Sequence, residues 1–213
     1  CKKNKTWKFD EKKFKGQNIG CRFDNPEDYL GIDGGVYIIY RTLPKFIFRR
    51  YFNKANSSRN YTFEEFYNKV ININVIHYDL GNKVPFFDNS IPYIFSSHFF
   101  EHFIYDDAKK ILVDCLRVLK PNGIIRICVP SLDDEVSKLK LALMDYEDKM
   151  DLKILEYFTN HNSGYIDKYS NHRFMYNFEL MKKLLEECGF CEIFFYNDTA
   201  TTEIYTLSLH DAL

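Results

Sequence analysis

Several polar residues of this chain stand where apolar runs end, the position from which α/β proteins do chemistry. Tyr93-Ile94-Phe95 runs into Ser96-Ser97-His98, and Glu101-His102 follows. An imidazole there is a candidate general base, because it titrates near neutrality. The alternative for His98 is that it only orders its loop by hydrogen bonding. Val75-Ile76-His77-Tyr78 runs into Asp79-Leu80, and Tyr29-Leu30-Gly31-Ile32 into Asp33, closed by Gly34-Gly35. A carboxylate can accept two donors at once, which suits ligand binding; either Asp can instead cap its own turn. Gln17-Asn18-Ile19 ends at Gly20-Cys21, where a glycine lets backbone approach a ligand closely.

These residues need a scaffold that brings strand ends together. Ile73 to Ser131 reads strand, loop, strand, helix, tight turn, strand. A first strand ends at Gln17–Gly20, a second spans 29–33, and a third lies near 73–79. Val36 to Tyr51 predicts a helix interrupted near Pro44. Thr62 with Glu65 predicts a capping box ahead of a short helix at 63–69. Ala108, Ile111, Leu112, Cys115, Leu116 and Leu119 recur on one face of a helix near 106–119. Pro121-Asn122-Gly123 then turns the chain. Ser131 is an N-cap for a further helix with a stripe of Leu132, Val136, Leu139 and Leu143. Residues 159–176 read as irregular and polar. A helix at 178–188 buries Met181, Leu184, Leu185 and Cys188 and ends at Gly189, before a sixth strand at 192–196. The pattern predicts a Rossmann-like α/β fold: an open, mostly parallel sheet with helices on both faces, truncated at its C-terminus.

The central block resembles class I S-adenosylmethionine-dependent methyltransferases, and most closely their type-11-like domains. The shared pieces are Asp79-Leu80 with Pro85-Phe86-Phe87-Asp88-Asn89-Ser90, then Ser96-Ser97-His98 with Glu101-His102, then Arg117-Val118-Leu119-Lys120-Pro121-Asn122-Gly123, then Arg126-Ile127-Cys128-Val129-Pro130. The resemblance runs from about Asn18 to about Tyr196. It implies strand order 3-2-1-4-5 with the sixth strand at the far edge, and a seventh strand that is missing here unless Glu203 to Leu209 takes its place. It implies S-adenosylmethionine as cofactor, held by Gly20, Cys21, Asp33, Asp79, Leu80 and Ser96. Asp33 would receive the ribose hydroxyls and Asp79 would face the adenine amine. His98 and His172 would face the methyl acceptor, a small molecule or a sugar or lipid precursor. Glu101 and His102 would hold the following segment in place. The family's turn after the first strand is G-x-G, whereas Gly20-Cys21-Arg22 puts a side chain at its last position. A catalytically silent module with the same fold is therefore the alternative.

Other patterns lead elsewhere. His98-Phe99-Phe100-Glu101-His102 matches the H-x-x-E-H of inverted zinc peptidases. Zinc needs a third ligand and both histidines on one helical face, and His98 follows a strand, so no metal site is expected. Cys188-Gly189-Phe190-Cys191 closes a helix, where the dipole disfavours a thiolate, so these cysteines read as structural. A nicotinamide dehydrogenase lacks its G-x-G-x-x-G.

With 213 residues and a net charge of −1, the chain suits one domain, and nothing global favours nucleic acid or an anionic membrane. No apolar run approaches the ~20 residues of a membrane span, no signal peptide is visible, and six scattered cysteines suit a reducing compartment. Cytoplasmic location is the expectation; oligomeric state is not legible. Residues 1–15 form a basic lead-in carrying Trp7, Phe9 and Phe14, and 16–196 form the domain. Residues 197–213, NDTATTEIYTLSLHDAL, match one reading frame of a common sequencing adapter and are expected to be non-native.

Overall fold

The computed structural model describes residues 6–55, 61–81, 83–133, 172–196 and 203–209. Strands β1 (Gly16–Ile19), β2 (Tyr29–Asp33), β3 (Val75–His77), β4 (Ile91–Ser97) and β5 (Leu119–Pro130) pair in parallel; β6 (Cys191–Tyr196) and β7 (Glu203–Leu209) follow. The sheet order is β3-β2-β1-β4-β5-β7-β6. The helices are α1 (Val36–Tyr40), α2 (Lys45–Ala55), α3 (Phe63–Asn72), α4 (Tyr105–Val118) and α5 (Phe178–Cys188).

Two apolar clusters flank the sheet. One joins Ile19, Ile32, Ile94, Ile125 and Ile127 to Ile111, Leu112 and Cys115 of α4 and to Met181, Leu184 and Leu185 of α5. The other joins Ile38, Phe48, Phe63, Phe66 and Val70 of α1–α3 to Val75. Val75 lies in the second cluster, whereas its neighbour Ile76 packs on the first. Adjacent strand residues point to opposite faces, so helices cover both sides. Phe9 and Phe14 of the lead-in are buried in the α4–α5 cluster, and Trp7 bridges to Phe86.

The local signals work as their chemistry dictates. The helix after Gly35 is split around Pro44 into α1 and α2. At α3, Glu65 N–H donates to Thr62 Oγ1 (3.3 Å) and Thr62 N–H to Glu65 Oε2 (2.8 Å). This box stabilises the helix start by about 1 kcal/mol and carries α3 three residues past its expected end. Asn177 caps α5, and Gly189 ends it at φ 98°. Arg117 explains why two motif pieces occur together. Its guanidinium donates to the carbonyls of Val84 (2.8 Å) and Phe86 (3.0 Å) and pairs with Asp88 and Asp114 (2.5 Å each). The loop before β4 is thereby fixed to α4.

One expectation needs correction. Pro121-Asn122-Gly123 does not lie outside the strand. Leu119 already pairs with Ile91 and Ile124 with Tyr93, so 120–123 bulge out of β5 with Asn122 at φ 60°. The sixth strand is at the far edge, as the resemblance implies, and Glu203–Leu209 takes the seventh strand's place, antiparallel to both β5 and β6, from Pro130↔Glu203 to Ile124↔Leu209 on one side. The helix expected after Ser131 and most of 159–176 lie outside the described residues. Of that stretch, 172–175 has no regular secondary structure, Tyr176 forms an isolated bridge with Ser131, and Leu132 N–H donates to the Tyr176 carbonyl (2.8 Å).

Candidate active site

Parallel pairing puts the carboxyl ends of β1–β5 on one edge. Ile19 pairs with both Ile32 and Ser96, Asp33 with His77, and Ser97 with Cys128. Gly20, Asp33, Asp79 and Ser96–His98, distant in sequence, therefore extend from neighbouring strand ends. The sheet's register brings their backbones to one edge.

Asp33 is the hub of the first two turns. It is 9% exposed. Its Oδ2 accepts from the Arg22 N–H (2.8 Å) and its Oδ1 from the Gly35 N–H (2.6 Å). Its own carbonyl accepts from Tyr78 N–H (3.0 Å), and Gly20 N–H donates to the Ile32 carbonyl (2.9 Å). One residue thus fixes the turns after β1 and β2 and the start of the segment after β3. Each carboxylate oxygen still has a lone pair to offer.

Gly20 sits at φ 67°, and a Cβ built there would fall 2.2 Å from the Phe99 ring. Only glycine fits under that ring. Arg22 also lies in the left-handed region, at φ 47°, with its side chain exposed. The strain is real for an L residue. Arg22→Gly is expected to raise the unfolding free energy in urea by ~0.5–1 kcal/mol, the relieved strain less glycine's larger unfolded entropy. A loss of stability would show that Arg22 makes a contact worth more than its strain.

The remaining predicted residues divide. The Cys21 side chain turns away into the α1–α3 core, where burial and then the Asp33 charge raise its thiol pKa; only its backbone is available at the edge. Asp79 is exposed and its Oδ1 accepts from Gly81 N–H (3.0 Å), a turn cap, while Leu80 is buried beneath it. Ser96 is fully buried and its Oγ makes no hydrogen bond. His98 takes φ 52°, its N–H donates to the Cys128 carbonyl (3.0 Å), and its ring is 53% exposed. Backbone outliers of this kind cluster at functional sites. His172 is brought to the same place: Arg173 and Phe174 N–H groups both donate to the Glu101 carbonyl (2.7 and 3.2 Å). These bonds tie the Glu101 backbone to the distant segment at Arg173 and Phe174 rather than to the one that follows it. The sequence reading did not anticipate Phe99 over Gly20, or Asp33 binding the Arg22 amide. Neither has a local sequence signal. Cys188 and Cys191 form no disulfide with each other, and burial pushes the Cys188 thiol up to about 11, which suits a structural cysteine.

Comparison with known proteins agrees with this geometry. Residues 52–127 match the model of a methyltransferase-domain family. No curated protein matches the chain in sequence. Among solved structures, the chain is similar to human N-acetylserotonin methyltransferase in complex with S-adenosylmethionine, at 12% identity and TM-score 0.52, covering 96% of this chain and 50% of that one. It is similar to a Nostoc punctiforme protein assigned as an O-methyltransferase (12%, TM-score 0.53, 91% and 50%). A third is the S-adenosylmethionine-dependent methyltransferase SibL in its apo form (11%, TM-score 0.51, 92% and 50%). The chain spans about half the length of each. Strand order and family match define the class: the fold is the Rossmann-like one of class I S-adenosylmethionine-dependent methyltransferases. At these identities the likeness to solved structures carries the fold alone.

Proposed function

We propose that this chain is an S-adenosylmethionine-dependent methyltransferase acting on a small-molecule acceptor, a sugar or lipid precursor being the class we favour. S-adenosylmethionine is the cofactor indicated by the family match and the fold. The observation that carries the reading is Asp33, whose carboxylate ties the turns after β1 and β2 at the shared edge. Two features present fit an adenosyl group: a partly satisfied carboxylate at Asp33 and a buried Ser96 hydroxyl with no hydrogen bond.

When bound, the cofactor supplies a methyl group on a sulfonium, already attached to a good leaving group. The chain's own work is then to hold, orient and exclude water, for which proximity can contribute ~7–11 kcal/mol. Gly20 and the Cys21 backbone line the approach, and Asp33 offers its remaining lone pairs to ribose hydroxyls. Asp79, the Leu80 backbone and Ser96 would help hold the adenosyl group. His98 and His172 would serve the acceptor, with His98 taking a proton if the acceptor carries one. Among the described residues no helix is long and apolar enough to cross a membrane, and a cytoplasmic location is part of the proposal. So is the non-native origin of 197–213.

One observation favours a second reading, a silent module of the same fold. The Phe99 ring lies directly over Gly20, on the side from which a cofactor would approach. Calorimetric titration of S-adenosylhomocysteine into the full chain separates the two. Saturable binding of one equivalent supports the enzyme. Absence of heat from a chain shown by circular dichroism to be folded supports the module.

A further inference from the structure

Glu101 is a buried carboxylate surrounded by imidazoles. Its side chain is 2% exposed, and neither oxygen accepts a hydrogen bond. Its Oε1 lies 3.3 Å from His98 Nδ1, 4.0 Å from His102 Nε2 and 3.9 Å from His172 Nε2. One ligand atom each from Glu101, His102 and His172 falls within 4.8 Å of the others. The His102 and His172 rings meet edge to face with centroids 5.3 Å apart.

A carboxylate removed from water without hydrogen bonds costs several kcal/mol unless a positive charge joins it. The separations of 3.9 and 4.0 Å are too long for hydrogen bonds. They are about half an ångström wider than the roughly 3.4 Å between two ligands of a tetrahedral zinc, and all three ligand atoms lie within 4.8 Å of one another, so the rings must turn inward to close on an ion. The backbone fixes the approach. Glu101 and His102 share the 3-10 turn Phe100–His102, and His172 adjoins Arg173, whose N–H is bound to the Glu101 carbonyl. Two imidazoles and one carboxylate suit borderline first-row cations rather than calcium or magnesium.

We propose that Glu101, His102 and His172 bind a divalent first-row transition cation, with zinc as its probe. The sequence pattern offered Glu101 and His102 but argued against a metal, because His98 was the wrong partner. The fold supplies the third ligand from far along the chain, and His98 instead flanks the carboxylate. Three protein ligands leave a coordination position open, at the edge where the acceptor is proposed to bind. That last consequence rests on the methyltransferase reading; cation binding does not.

The test is calorimetric titration of zinc into the metal-stripped full chain with no cofactor present, so its failure is separate from any failure of the methyltransferase reading. The wild-type chain is expected to take up one equivalent. His172→Asn, in a segment without regular secondary structure, and Glu101→Gln are each expected to weaken binding by about tenfold or more, while His77→Asn leaves it unchanged. Circular dichroism confirms that each variant is folded, and His172→Asn decides the matter if Glu101→Gln is not. No uptake by the wild-type chain, or uptake that His172→Asn leaves within about twofold, overturns the proposal.

Discussion

Asp33→Ala is expected to lower the unfolding free energy by ~2–4 kcal/mol and to abolish detectable binding of S-adenosylhomocysteine. The stability loss follows from the two amides it strands. Arg22 and Gly35 N–H groups donate to a carboxylate that is 9% exposed, and hydrogen bonds to a charged group are worth about 1.5–3 kcal/mol each, less when water can replace them. The binding loss follows from position, because the same carboxylate stands at the edge where β1, β2 and β3 end. Urea denaturation and calorimetry read the two effects separately. A variant that is destabilised as expected but binds undiminished would make Asp33 a turn clamp only. Asp33→Asn is expected to fall between, since one of its two acceptors becomes a donor facing an N–H.

Gly20→Val is expected to cost ~2–4 kcal/mol, while Gly34→Ala, at the neighbouring turn, changes stability by less than ~0.5 kcal/mol. A side chain at Gly20 must adopt φ 67° and displace the Phe99 ring from 2.2 Å. A methyl at Gly34 meets nothing nearer than the Tyr78 carbonyl at 3.7 Å, an ordinary contact. Equal losses in the two variants, measured by urea denaturation, would mean that the Phe99 ring moves freely and that Gly20 is not under a fixed lid.

Much of this was legible in the chain because the signals are local. Asp33 ends β2, and Gly189 closes α5, at the residues the sequence indicates. Capping at Thr62 and the apolar stripe of α4 need only short-range chemistry. What escaped depends on contacts between distant segments. The pattern H-x-x-E-H shows two histidines and a glutamate but not that His172 arrives beside them. Gly20-Cys21-Arg22 shows a departure from G-x-G. It does not show that Arg22 keeps the left-handed backbone a glycine would take. The slot between β5 and β6 belongs with the legible part, since Glu203 to Leu209 is its candidate from the sequence. Its occupant, Glu203–Leu209, alternates Tyr205, Leu207 and Leu209 with Thr206 and Ser208. Such a period of two suits an inserted antiparallel strand whatever the origin of the sequence.

Co-crystallisation with S-adenosylhomocysteine tests the central claim most directly. The account predicts density for one adenosyl group at the carboxyl edge, its ribose hydroxyls within hydrogen-bond distance of the Asp33 carboxylate and its chain passing Gly20, with the Phe99 ring moved aside. A ligand bound elsewhere, or crystals grown in saturating ligand with Phe99 still seated on Gly20 and the edge bare, would contradict it.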